Sequence, residues 1–203
     1  MDFGDAALVI AGHGSTVNAE SSAPTRKHAA EIRSRGIFAE VHECFWKEEP
    51  YFKDILKEVR APRVYVVPNF ISEGYYTETV LPREMGLSSA VTRRDGKEIY
   101  YCEPVGLHPA MTDLLLQRAE SVLGGEKVEE KETCLFVAGH GTPRNRNSTA
   151  SIYRQVELIR QRDRFAEVGA LFMEQEPWMK DWAELTSQKN VIVVPFFISD
   201  GLH

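Results

Sequence analysis

Three side chains in the second half of the chain have the types and spacing to hold a divalent cation or to move protons. They are His140 in a Gly-His-Gly loop, Glu174 just ahead of Gln-Glu-Pro, and His203 in Ile-Ser-Asp-Gly-Leu-His. Each follows a short apolar run that reads as a buried strand: Cys134–Ala138, Glu167–Phe172 and Val191–Phe197. In an open parallel sheet, ligands bind beyond the carboxyl ends of the strands. If the strand order begins 2-1-3, as in flavodoxin-like sheets, all three ends are neighbours. Two imidazoles and a carboxylate then suit a borderline divalent cation with coordination positions left open. The same groups can act as proton acceptors. Singly, each has a plainer explanation: a histidine can close a strand end by bonding to backbone, Glu174 sits in a charged loop with Glu176, and His203 is the last residue. It is the combination that points to chemistry.

An internal comparison sharpens this reading. Leu8 to Tyr76 aligns without a gap onto Leu135 to His203 at a constant offset of 127, with 28 of the 69 pairs identical. Shared words are AGHG, FAEV, EP followed by KD, and VVPxFIS. A repeat this long is a duplicated domain, since solenoid units run to about 20–50 residues. His13 stands opposite His140 and is a further candidate ligand, but Lys47 stands opposite Glu174 and Tyr76 opposite His203. A lysine would repel a metal, so the second copy is expected to be the active one. That copy also carries Arg144 and Arg146 where the first has Val17 and Ala19. Guanidinium groups pair bidentately with carboxylates, so both are candidates for substrate binding, with a solvated loop as the alternative.

The elements that must position these groups alternate. In the first copy they are a strand at Ala7–Ala11, a helix from about Ala23 to Arg35, a strand at Glu40–Phe45, a helix over Tyr51–Val59 introduced by Glu49-Pro50, and a strand at Val64–Pro68. A helix opened by Leu81-Pro82, a strand at Glu98–Glu103 and a closing helix at Pro109–Leu123 complete it. Such alternation predicts an α/β fold with parallel sheets and right-handed crossovers. The domains are expected to be 1–123 and 133–203, joined by a charged, glycine-containing linker at 124–132. Counterparts of Thr77–Leu123 are missing from the second copy. The sequence is therefore expected to be shorter than the natural protein, its second lobe incomplete, with a sheet edge and a face uncovered.

Composition narrows the class. With 43% hydrophobic and 27% charged residues the chain is an ordinary globular protein. No apolar run approaches the roughly 20 residues that span a bilayer, and the acidic N-terminus lacks a signal-peptide n-region. Cys44, Cys102 and Cys134 are isolated, which supports neither a disulfide framework nor a cysteine metal knuckle. A cytoplasmic location without a membrane partner is the expectation. The net charge of −6 speaks against nonspecific nucleic-acid binding. His42, inside a strand, and His108, just before Pro109, read as structural or exposed.

Taken together, GHGS/GHGT, FMEQEP and VVPFFISDGLH, in that order and spacing, resemble the CbiX family of sirohydrochlorin cobaltochelatases and the related sirohydrochlorin ferrochelatases. The resemblance covers nearly the whole chain as two tandem copies. It implies the class II chelatase fold, two flavodoxin-like α/β lobes with a cleft between them. It also implies a lyase that inserts cobalt(II), nickel(II) or iron(II) into a tetrapyrrole such as sirohydrochlorin, in cobalamin or siroheme biosynthesis, without an organic cofactor. Matched position by position, the family's motif histidines fall on His140 and His203, and its catalytic glutamate on Glu174; Lys47 and Tyr76 depart from the pattern. The histidines would hold the metal and accept protons, and Glu174 would assist deprotonation or supply an oxygen ligand. Because the protein is net negative, steering of a carboxylate-rich macrocycle falls to Arg144 and Arg146, with Arg83, Arg93 and Arg94 as further rim candidates. A carrier or sensor without turnover, and a duplicated scaffold with structural histidines, are the competing readings. The metal, the tetrapyrrole and the oligomeric state do not follow from the sequence.

Overall fold

Two seven-residue strands, β1 (Ala6–Gly12) and β6 (Thr133–Gly139), are buried along their whole length. An uninterrupted apolar run of this kind belongs at the centre of a sheet covered on both faces. The computed structural model, which describes residues 2–123, 128–142 and 146–198, places each of them so. β1 lies between β2 (Glu40–Phe45) and β3 (Arg63–Pro68), parallel to both. β6 lies between β7 (Glu167–Phe172) and β8 (Asn190–Pro195), again parallel. The expected 2-1-3 order holds in both copies, and the described residues form two compact units, one over residues 2–105 and one over Gly106–Phe197.

In the first unit, the alternation of side chains along each strand sorts the core into two faces. Leu8, Ile10 and Val41 meet α1 (Ala23–Ser34) through Ala29 and Ile32. Val9, Cys44, Val64 and Val66 share a cluster with α2 (Phe52–Glu58), through Phe52, Ile55 and Leu56, and with Leu81 and Met85 of α3 (Leu81–Met85). The helical run there begins earlier than the expected Leu81 start, because a π-helical segment at Tyr76–Val80 leads into α3. Glu49-Pro50 precedes α2 rather than lying in its first turn, and it is a cis peptide, as is Glu176-Pro177.

A further strand was not expected from the sequence. β4 (Val91–Arg94) forms an antiparallel hairpin with β5 (Lys97–Tyr101), which itself pairs parallel with β3. The turn between them is Asp95-Gly96, with φ of 52° and 73°. An Asp-Gly pair is the preferred two-residue hairpin turn, because both central residues need positive φ. That dipeptide was the available signal.

The second unit departs from the expected domain boundary. α4 (Ala110–Leu123) was read as the closing helix of the first copy; it packs instead on β8 and on α5 (Arg146–Arg160). Its buried stripe is Thr112, Leu115, Leu116 and Ala119, a helical i, i+3, i+4, i+7 pattern. Thr112 Oγ1 donates to Gln155 Oε1 at 2.7 Å, and both residues are buried. Periodicity announces a buried stripe without saying which sheet buries it. Nor is Glu129–Glu132 a free linker. Glu130 pairs with Arg164, and its carbonyl accepts the Ala166 N–H. Residues 124–127 of the expected linker lie outside the described residues.

Conserved pairings show how far the duplication extends into the packing. Arg33 donates to the Val41 carbonyl and Arg160 to the Val168 carbonyl, each through two nitrogens. Other pairs have changed together. Arg26 stacks over Phe45 and bonds Glu48; at the matching positions Tyr153 packs edge-on to Phe172 and Gln175 is neutral. The copies differ most on the face that α2 and α3 cover in the first unit. There the counterpart of α2 is a 3-10 helix, Met179–Glu184. Val193 is 42% exposed where Val66 is 0% exposed, and Trp182 is 44% exposed where Ile55 is 1% exposed. Among the described residues β8 pairs only with β6, but the expected open face is not found: Cys134, Phe136, Ala138 and Leu171 on it are buried, with Met179, Val191 and Phe197 packed against them.

Candidate metal-handling site

His140 and Glu174 come together at the carboxyl ends of β6 and β7, as the 2-1-3 order requires. His140 Nε2 lies 3.4 Å from Glu174 Oε1, and both side chains are about half exposed, 44% and 52%. Backbone fixes the pairing. The His140 carbonyl accepts the N–H groups of Met173 and Glu174, both at 3.1 Å. The chain turns away immediately afterwards at Gly141, whose φ is +66°. A Cβ there would lie 2.8 Å from both Gln175 Cγ and Phe172 Cβ. The second glycine of the Gly-His-Gly loop is therefore needed both for left-handed backbone and for space.

A half-exposed imidazole beside a carboxylate at a strand end can do two things. It can offer one nitrogen and one or two oxygens to a borderline cation while leaving coordination positions open. It can also take up protons released nearby, because the lone pair of a neutral imidazole nitrogen is a proton acceptor. The third predicted member, His203, lies outside the described residues, as does Arg144; Arg146 begins α5. Among the described residues, no group of three or more His, Cys, Asp or Glu side chains is placed to hold a metal.

The first unit builds the same loop with different side chains. The His13 carbonyl accepts the N–H groups of Trp46 and Lys47 at 3.1 and 3.0 Å, and Gly14 repeats the left-handed turn at φ +67°. Lys47 occupies Glu174's position, and its Nζ sits 5.2 Å from the Trp46 ring centroid. The His13 ring meets Tyr76 edge-on at 4.7 Å. Phe70 lies 6.3 Å from Tyr76 and nearly parallel to it, and Tyr75 lies 5.8 Å away. Sequence reasoning took Tyr76 only as a departure from the pattern. The clustering of Phe70, Tyr75 and Tyr76 within seven residues was the unused signal.

The other predicted residues are accounted for by their neighbours. Arg83 pairs with Glu84, Arg93 with Glu98 and Arg94 with Asp95. His42 bonds Glu40 at 2.9 Å, and His108 Nδ1 accepts the Ala110 N–H at the start of α4, so both are structural. Burial pushes the Cys44 thiol well above its ordinary range, and the Cys102 and Cys134 thiols are also raised by burial. A cavity of about 590 Å³ beside β7, lined by residues including Cys134, Phe136, Arg160 and Leu185, contains neither His140 nor Glu174. No described helix is long and apolar enough to cross a membrane.

Comparison with known proteins decides the family. The CbiX family profile matches residues 7–122 and 134–203. The chain belongs to the CbiX family. A relative from Halobacterium salinarum, named probable sirohydrochlorin cobaltochelatase, is 45% identical over 97% of this chain and 73% of its own. A Methanopyrus kandleri sirohydrochlorin cobaltochelatase is 28% identical over 59% of this chain and 99% of its own. Among solved structures, the multi-domain Deinococcus radiodurans protein DR2241, described as structurally similar to chelatases, superposes with a TM-score of 0.84 at 31% identity. This chain spans 95% of its own length there and 43% of that protein. Bacillus subtilis SirB, solved with Fe3+, superposes with a TM-score of 0.77 at 17% identity, a likeness of fold. The fold is that of the class II chelatases.

Proposed function

We propose that this chain inserts a divalent metal, cobalt(II) foremost, into a tetrapyrrole of the sirohydrochlorin type. The observation that carries the reading is the His140–Glu174 pair at adjoining strand ends of a CbiX-family unit. The name of the 45% identical Halobacterium relative favours cobalt, while a Priestia megaterium relative, 24% identical, is named a ferrochelatase. Insertion exchanges two pyrrole protons for the metal, so the site must hold a cation and accept two protons. His140 serves as metal ligand and proton acceptor, and Glu174 as the oxygen ligand or partner in deprotonation. His203, in the Ile-Ser-Asp-Gly-Leu-His motif shared with the family, is the second imidazole, and Arg144 and Arg146, just after the Gly-His-Gly motif, bind substrate carboxylates. The metal is a substrate here, and the reaction as written needs no organic cofactor.

The test is anaerobic absorbance of metal-free sirohydrochlorin with cobalt(II), comparing the protein with its His140→Ala variant. The reading requires several turnovers per protein, lost in the variant. A wild-type rate equal to that of the protein-free control sinks it for this metal and macrocycle.

A further inference from the structure

Gln175 follows Glu174 directly, and its side chain reaches the other segments that build the His140–Glu174 pair. Its Cγ lies against Gly141, where an added Cβ would stand 2.8 Å from it. Its Oε1 accepts the Thr149 hydroxyl hydrogen at 2.9 Å, in a partly buried setting. Thr149 lies in the first turn of α5. One side chain therefore ties together the end of β7, the loop that carries His140 and the start of α5. His140 and Glu174 are not held by burial, since both side chains are about half exposed. Their separation depends on the backbone beneath them, and Gln175 fastens that backbone. Groups one step behind a metal ligand set its orientation in this way.

The first copy has the same tie in charged form. Glu48, at the matching position, lies as close over Gly14, accepts the Ser15 N–H at 3.0 Å and pairs with Arg26. In the second copy both charges have gone together: Gln175 replaces Glu48, and Tyr153 replaces Arg26. A glutamate at 175 without that arginine would add a second carboxylate beside Glu174. A neutral amide keeps the tie and adds no charge. The difference matters to a protein that must pass its metal on, because each added anion deepens the well from which the cation has to leave. Resting on the chelatase reading, we propose that Gln175, locked by Thr149, is a positioning residue for the metal-handling pair, and that its neutrality keeps cobalt(II) held loosely enough to be released to the macrocycle.

The experiment titrates cobalt(II) alone into the full chain, anaerobically, and follows the ligand-field absorbance of the bound metal. Wild type, Thr149→Val, Thr149→Ser and Gln175→Glu are compared. Thermal melting, the KM for cobalt(II) and the saturated insertion rate are measured alongside. Thr149→Val, which keeps the shape and removes the hydroxyl, is expected to weaken cobalt binding about 10-fold, the low end for an outer-shell partner. Thr149→Ser restores it. Gln175→Glu still accepts the Thr149 hydroxyl, so it keeps the tie and changes only the charge. It tightens cobalt binding about 5-fold or more, the effect of one further carboxylate at a solvent-exposed site. Its saturated insertion rate falls by a similar factor. A role in stability alone would lower the melting temperature of Thr149→Val and leave the cobalt affinity of the folded protein unchanged. That result overturns the proposal, as does an unchanged cobalt affinity in Gln175→Glu, which decides the matter even where Thr149→Val does not fold. If the affinities shift as expected while wild type inserts no metal, the positioning role stands and the chelatase reading falls. If wild type turns over and the variants match it in affinity and rate, the chelatase stands and the positioning role is wrong. Wild type that neither binds nor inserts cobalt(II) sinks both.

Discussion

Adding a single methyl group at Gly141 tests whether the loop turn is what sets the metal-handling pair. The residue has φ of +66°, where an L side chain costs about 1–2 kcal/mol. The added Cβ would lie 2.8 Å from Gln175 Cγ and Phe172 Cβ, and 2.9 Å from Phe172 Cδ1. Phe172 is fully buried and cannot swing away, so overpacking adds roughly 1–3 kcal/mol. The total for Gly141→Ala is about 2–5 kcal/mol, or roughly 4–20 °C at ~2–4 °C per kcal/mol for a chain of this size. The relief route is a shift of the loop, which drags His140 and loosens its carbonyl from the Met173 and Glu174 N–H groups. A displacement of ~1 Å at a reacting group can cost about 100-fold in rate. Gly14→Ala is the internal control: its φ is +67° and its Cβ would meet Phe45 Cβ and Glu48 Cγ at 2.9 Å. It should cost comparable stability while leaving the saturated rate near wild type, because the first copy has Lys47 where the second has Glu174. Thermal melting and anaerobic chelation kinetics at saturating sirohydrochlorin read both effects. The reasoning fails if Gly141→Ala melts with wild type, or if both variants lose the saturated rate equally.

Two further outcomes follow from packing and charge. Thr112→Val leaves Gln155 Oε1 buried without its donor, at a cost of about 1–3 kcal/mol in urea melts; no loss would mean that α4 is not seated on α5 as described. At Glu40, burial that would raise the carboxyl's pKa is outweighed by hydrogen bonds from His42 and the Arg60 and Ala61 N–H groups, so the folded value lies below the ordinary one. Its contribution is present above an unfolded pKa near ~4.3 and is lost as pH falls through the lower folded value. Glu40→Gln should therefore flatten the acid limb of stability against pH, and unchanged acid titration by circular dichroism would show that Glu40 is not a source of it.

Much of the fold was legible because its signals are local. Apolar runs named β1, β2, β3 and β6, and helical stripes named α1 and α4. Constant-offset repetition showed two copies, and motif order pointed to His140 and Glu174. The placement of α4 is a choice no local pattern encodes. The stripe of α4 is equally apolar whichever sheet it covers, and only the burial of Leu115 and Leu116 against the second unit settles the matter. The Asp95-Gly96 hairpin was local but overlooked.

The sequence by itself determined the two-fold architecture, the family, and the residue types available at each strand end, because periodicity, repeats and motifs are properties of order along the chain. The tertiary structure decided which of those residues meet. A parallel 2-1-3 sheet brings positions 140 and 174 to 3.4 Å although 34 residues separate them. The same geometry in the first unit collects His13, Phe70 and Tyr76 into one set of rings. Adjacency at strand ends is set by register and crossover, which hydrogen bonding between distant segments imposes and no stretch of sequence carries alone.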